Sequence, residues 1–256
     1  MFAPMSLAVA VKAAAGVVLA ADRRHTITAG DSTLHFDQPV KLARVRAPND
    51  HVVVVQVGLE PPGPAFDVAL DAFAAGITDR LHIRDLADRL ADWTGSRRSA
   101  PDQPPTWLLV GAAEEDRPLL YRVGVPGGVD EMFAEGFGTA WIGEDYAVRR
   151  LVKRPAGESD LGPPYASAPI GVCADWAVLL IETTIEVGRR TGVGADVGGP
   201  VDVARYLPAV VSGRAAEPST SLAVCADWAM LLTGGDRPGL IRCYHPQSLP
   251  HCHCAT

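Results

Sequence analysis

Residues 6–24 read SLAVAVKAAAGVVLAADRR. Two apolar runs, residues 6–11 and 17–21, flank Lys12, Ala13, Ala14, Ala15 and Gly16. Leu7, Val9 and Val11 alternate and Val17 and Val18 are a β-branched pair, so the stretch predicts two strands joined by a tight turn at Gly16. The second run ends abruptly in Asp22, Arg23 and Arg24, which puts a carboxylate at the mouth of an apolar hairpin.

Working outward, residues 25–37 are polar and contain Gly and Asp, and they read as a loop. Residues 41–46 and 51–58 predict two strands about a Pro48-Asn49-Asp50 turn. The valines at 52–55 are continuous rather than alternating, so both faces of that strand are expected to be covered. A helix starts near residue 65, with Phe66, Ala69, Leu70, Phe73 and Ile77 at helical spacing. A second runs over about 84–93, with Leu86, Leu90 and Trp93 on one face. Strands return at 107–111 and 119–125 about the acidic turn at residues 114–117, then at 137–142. A helix is expected over 145–153 and a Gly/Pro-rich loop over 155–169. Residues 173–190 carry the strongest helical pattern, a broad band of Trp176, Leu179, Leu180, Thr183, Ile185 and Val187. Residues 192–199 break it, and 200–206 predict a last strand. The order predicts an α+β domain, two antiparallel sheets with helices outside.

The hairpin resembles that of proteasome-type β subunits, members of the N-terminal-nucleophile hydrolases. In that family the nucleophile opens the mature chain, sixteen residues before the acid of an A-A-D-x-R segment, and a lysine precedes a short strand further on. Counting back sixteen from Asp22 lands on Ser6, and Lys41 in Pro39-Val40-Lys41-Leu42-Ala43 stands where the lysine would be. Phe36-Asp37, Trp141-Ile142-Gly143 and Gly198-Gly199-Pro200-Val201-Asp202-Val203 extend the likeness over about residues 6–208, nearest to small bacterial proteasome-like proteins.

The resemblance implies a four-layer αββα sandwich that assembles with copies of itself in a ring or stacked oligomer. It implies hydrolysis of peptide bonds in peptides or unfolded protein, without a cofactor or metal. Ser6 would attack the carbonyl and its own free α-amine, with an ordinary pKa of about 8, would take the proton. Lys41 would supply positive charge at the hydroxyl, Asp22 would position Lys41, and a main-chain N–H near Gly58 would form the oxyanion hole. The chain departs from the family in three places. The nucleophile is serine, the family's I-G-S-G turn reads Ile142-Gly143-Glu144-Asp145, and Gly194 and Val197 replace the D-x-x-S before the double glycine, with Asp196 close by. An assembly subunit that does not cleave and an amidohydrolase acting on a small amide are therefore alternatives. Both enzymatic readings require removal of residues 1–5, read as a leader. Met5 precedes a small residue, so a start at Met5 with ordinary methionine removal would expose Ser6.

Length and charge narrow the function classes. The 256 residues, 48% hydrophobic and 21% charged, suffice for one substantial core. A net charge of −7 argues against a nucleic-acid partner, and the basic run at 149–154 reads as a solvated helix face. Lys12 interrupts the apolar stretch 5–21 and nothing reaches membrane-spanning length, so a cytoplasmic protein with no membrane partner is expected. The five cysteines, four of them after residue 220, are not spread like a disulfide framework. No G-x-S-x-G, P-loop, H-E-x-x-H or C-x-x-C segment is present. Gly192-Val193-Gly194 follows a helix and precedes a strand, the wrong order for a dinucleotide loop.

The proteasome-like domain is expected over residues 6–210 and a disordered tail over 211–256. VCADWAVLL at 172–180 recurs in the tail as VCADWAMLL at 224–232, a duplication too short for a repeat unit. Cys243, His245, His251, Cys252, His253 and Cys254 are soft ligands at no recognised finger spacing.

Overall fold

The computed structural model describes residues 6–29, 32–37, 40–58, 64–98, 103–152, 162–193 and 196–206. The leader, the second copy of the duplicated nonapeptide and the Cys/His-rich end lie outside the described residues.

Strands β1 (Leu7–Ala13) and β2 (Gly16–Asp22) form the expected hairpin. It turns through Ala14 and Ala15, so Gly16 opens β2, pairs with Ala13, and does not itself make the turn. All residues of both strands are buried because both faces are covered. Leu7, Val9, Val11, Val18 and Ala20 point to a helical layer, whereas Ala8, Ala10, Val17, Leu19 and Ala21 point to a facing sheet.

The loop expected over residues 25–37 is instead a second hairpin, β3 (His25–Ala29) with β4 (Ser32–Phe36). Thr33, Leu34, His35 and Phe36 of β4 are exposed, so β4 has no buried face for an apolar period to mark. Next come β5 (Leu42–Arg44), β6 (Val53–Gly58), α1 (Phe66–Ala75), α2 (Ile83–Ser96), β7 (Thr106–Glu114) and β8 (Arg117–Val125). A short polar strand that the sequence pattern did not announce, β9 (Gly128–Glu131), lies along β8. The chain continues through β10 (Gly138–Gly143), α3 (Tyr146–Val152), α4 (Ile170–Thr191) and β11 (Val201–Tyr206).

Two antiparallel sheets result, ordered β10-β1-β2-β11 and β5-β6-β7-β8-β9. Phe66, Leu70, Ile83, Leu86 and Leu90 of α1 and α2 pack on Val54, Leu108, Val110 and Val123 of the five-stranded sheet. On the four-stranded sheet, α4 lays down Cys173, Ala174, Ala177, Leu180 and Ile181, beside Val148 of α3. Between the sheets, Val53, Val55, Val57, Leu109 and Leu120 meet Ala8, Ala10, Val17 and Leu19. The two-sided burial of the valine run in β6 follows from this arrangement. Among the described residues no helix is long and apolar enough to cross a membrane.

His51, in the turn between β5 and β6, is buried, and neither ring nitrogen has a hydrogen-bond partner among the described residues. Burial, with Arg80 next, pushes its pKa from 6.5 down to about 4, and Glu114 and Asp50 only partly oppose this. The fold thus favours the neutral ring. Its contribution is fully present above pH 6.5 and is lost as pH falls toward about 4, because the unfolded chain takes up the proton first. The gap is equivalent to about 3 kcal/mol. Between pH 7 and pH 4.5, urea unfolding should show the wild type losing about 2–3 kcal/mol more than His51→Gln. Equal losses would remove His51 from the acid sensitivity of the fold.

Candidate active site

Ser6 sits at the head of β1 and Asp22 at the end of β2, and the hairpin brings these two ends side by side. The Leu7 N–H donates to Asp22 Oδ1 at 2.9 Å. Lys41 arrives from the other sheet, immediately before β5. Its Nζ donates to Ser6 Oγ at 2.7 Å, to Asp22 Oδ1 at 3.0 Å and to the main-chain oxygen of Arg24. Three acceptors thus meet the three N–H groups of an ammonium. Ser6, Lys41 and Asp22 are all buried, Asp22 to 0% exposure. Burial pushes the Lys41 pKa below its ordinary value, while Asp22, then Asp202 and Asp37, pull it back.

Asp22 is satisfied on both oxygens. Its Oδ2 accepts the N–H of Gly198 at 3.0 Å and of Arg24 at 3.2 Å. The two residues that follow reach elsewhere. Arg23 Nε lies 3.4 Å from Asp202 of β11, and Arg24 forks onto Asp37, just after β4, at 2.9 and 3.1 Å. Three consecutive charged residues therefore bind three separate segments to the end of β2.

The Ser6 carbonyl accepts the N–H of Glu144 at 2.8 Å, and a Cβ on Gly143 would fall 1.9 Å from the same oxygen. Only glycine fits there. Glu144, where the family would carry a serine, turns its carboxylate to the N–H of Tyr146 at 3.0 Å. Val197, the other expected serine position, is packed in the apolar cluster under α4. Asp196 acts electrostatically on Arg24.

Gly58 ends β6 and borders a small cavity of about 20 Å³ together with Ser6, His25, Lys41 and Gln56. Its φ is +110° and a Cβ would lie 2.6 Å from the Pro105 carbonyl, so this position also demands glycine. The four residues singled out in the sequence therefore gather: Lys41 is hydrogen-bonded to both Ser6 and Asp22, and Gly58 borders the same cavity as Ser6 and Lys41. The sequence reading missed the Arg24 carbonyl and the Gly198 N–H, because main-chain groups leave no residue-type signal. It quoted Asp37 without giving it a role. Among the described residues no cluster of three or more His, Cys, Asp or Glu is arranged to hold a metal ion.

No protein-family model matches the chain, and no curated protein matches it in sequence. Solved structures do match. An Anbu (Gly-1) mutant from Hyphomicrobium sp. strain MC1 aligns with a TM-score of 0.55 and 21% identity, over 79% of this chain and 81% of that one. Anbu (ancestral beta-subunit) from Yersinia bercovieri aligns with a TM-score of 0.55 and 17% identity, over 78% and 81%. The fold is proteasome-like. Within this proteasome-like fold, the head of β1, the end of β2 and the approach to β5 meet at one end of the layer between the sheets.

Proposed function

We propose that the chain is a self-assembling peptidase of the N-terminal-nucleophile type, a four-layer αββα sandwich that acts once Ser6 is its first residue. The observation that carries this is the buried Lys41 side chain, whose Nζ lies 2.7 Å from Ser6 Oγ and 3.0 Å from Asp22 Oδ1. In the proposed reaction Ser6 Oγ attacks the peptide carbonyl carbon and its proton passes to the Ser6 α-amine. Lys41, held charged by Asp22 and the Arg24 carbonyl, stabilises the oxygen as it loses that proton. A main-chain N–H near Gly58 receives the oxyanion. The C–N bond breaks, the leaving amine takes the proton from the α-amine, and an ester on Ser6 remains. Water then attacks the ester through the same amine, releasing the acid and restoring Oγ–H. The β-subunit named among the structural neighbours supports assembly with copies of itself.

A silent assembly subunit is the second reading, favoured by Glu144 and Val197 where the resemblance expects serines. Intact mass and N-terminal sequencing, followed by a fluorophosphonate probe and peptide mapping, separate the two. A chain starting at Ser6 and labelled on Ser6 supports the peptidase. A chain with a free Ser6 that neither labels nor cleaves peptides favours the silent subunit. Cleavage confined to small amides would instead point to an amidohydrolase on this fold.

A further inference from the structure

We propose that Arg24 and Asp37 are positioning residues for Lys41: their ion pair clamps the base of the β3–β4 hairpin and thereby holds the residue-24 carbonyl against the Lys41 ammonium. The assignment rests on the peptidase reading only for its consequence at Ser6.

Arg24 immediately precedes β3 and Asp37 immediately follows β4, so their pair closes the hairpin at its root. The contact is a two-point fork, Nε to Oδ1 at 2.9 Å and a terminal nitrogen to Oδ2 at 3.1 Å, which fixes direction as well as distance. The fork lies on the Gly198-Gly199 pair. A Cβ at 198 would sit 2.2 Å from Arg24 Cζ, and one at 199 would sit 2.9 Å from Asp37 Cβ. The double glycine is thus the floor on which this pair rests. The main chain of Arg24 faces the other way, toward the site. Its N–H bonds the Gly198 carbonyl at 3.0 Å, and its oxygen accepts from Lys41 Nζ and, at 3.5 Å, from Ser6 Oγ. A side chain pinned outside therefore sets an acceptor inside.

The charged groups acting on Lys41 are Asp22 at the end of β2, Asp202 of β11 and Asp37 after β4; Arg23 pairs with Asp202, Arg24 with Asp37, and His25 of β3 lines the same cavity. This inventory gives two accounts that predict opposite results for one variant. If Arg24 acted only through its charge, Arg24→Gln would remove a cation and raise the proton affinity of Lys41. If it acts by holding the carbonyl, the same variant removes an acceptor of the ammonium and lowers that affinity. Asp37→Asn lowers it in either case. The side chains of Arg24 and Asp37 are 26% and 42% exposed, so both variants should fold.

The chain has three lysines, Lys12, Lys41 and Lys153, so the Cε signal of Lys41 in ¹³Cε-lysine-labelled protein is assignable by elimination with Lys12→Met and Lys153→Ala. The expected result is a downward shift of the Lys41 midpoint by about half a pH unit in both Arg24→Gln and Asp37→Asn. The second-order rate of fluorophosphonate labelling of Ser6 should fall about tenfold in each, with most of it restored by Asp37→Glu. An upward shift in Arg24→Gln, or no shift in either variant, overturns the proposal. The titration needs no turnover, so a wild-type Ser6 that never labels would count against the peptidase reading while the titration still decides the role of the fork.

Discussion

Replacing Asp22 with alanine is expected to lower the free energy of unfolding by about 4 kcal/mol, because removing one partner of a buried ion pair strands the other. Asp22 has no exposed surface and accepts four hydrogen bonds, from the N–H groups of Leu7, Arg24 and Gly198 and from Lys41 Nζ. The Leu7 and Gly198 N–H groups would lose their acceptor, the Arg24 N–H would keep only the Gly198 carbonyl, and Lys41 Nζ would keep Ser6 Oγ and the Arg24 carbonyl but lose its counter-charge, all in a buried place. An exposed pair such as Arg84–Asp88, with side chains 51% and 50% exposed, should contribute little, because solvent screens it. Urea unfolding at pH 7 of the wild type, Asp22→Ala, Asp88→Ala and the double variant Asp22→Ala/Lys41→Met measures the contrast. The double variant should recover part of the loss, since it removes the stranded charge but not the stranded amides. If Asp22→Ala costs no more than Asp88→Ala, the carboxylate does not organise this end of the fold.

The parts legible in the sequence were those whose signal is side-chain chemistry at a regular period. The β1–β2 hairpin showed itself by alternation, β6 by an uninterrupted valine run, and α1, α2 and α4 by helical spacing of residues that pack in the two outer clusters. Asp22 stood out as a carboxylate at the mouth of an apolar hairpin, and Lys41 because it stands where the family resemblance places a lysine. What escaped has physical reasons too. Strand β4 is exposed over residues 33–36 and β9 is exposed or half-buried throughout, so no period marks them. Lys12 looked like an interruption of an apolar run. In the fold it is buried within β1 and its Nζ donates to the Phe133 carbonyl at 2.6 Å, a partner more than a hundred residues away. Burial lowers its pKa, with Glu131 opposing. Glu144 and Val197, conspicuous as departures from the family pattern, turn out to be occupied with a helix terminus and an apolar cluster.

Once the chain begins at Ser6, Lys41→Met is expected to slow fluorophosphonate labelling of Ser6 about a thousandfold. The reaction builds negative charge on Ser6 Oγ as its proton leaves, and in the wild type a cation already stands 2.7 Å from that atom in a buried site. Such a preorganised charge acts on the transition state without reorganising, which is why its removal costs rate rather than probe binding. Methionine keeps the length and fills the apolar stem of the site, so the loss is of charge and donors, not of volume. Asp22 then keeps its three main-chain donors, and circular dichroism with urea unfolding would verify that the variant is folded before its rate is read. Lys41→Arg should not rescue the rate. A planar guanidinium cannot present a compact three-donor head to Ser6 Oγ, Asp22 Oδ1 and the Arg24 carbonyl together. Labelling of Lys41→Met within about fivefold of the wild type would mean that the α-amine alone activates Ser6. Lys41 would then be only the structural counter-charge of Asp22, and the positioning of Lys41 by Arg24 and Asp37 would have no consequence at Ser6.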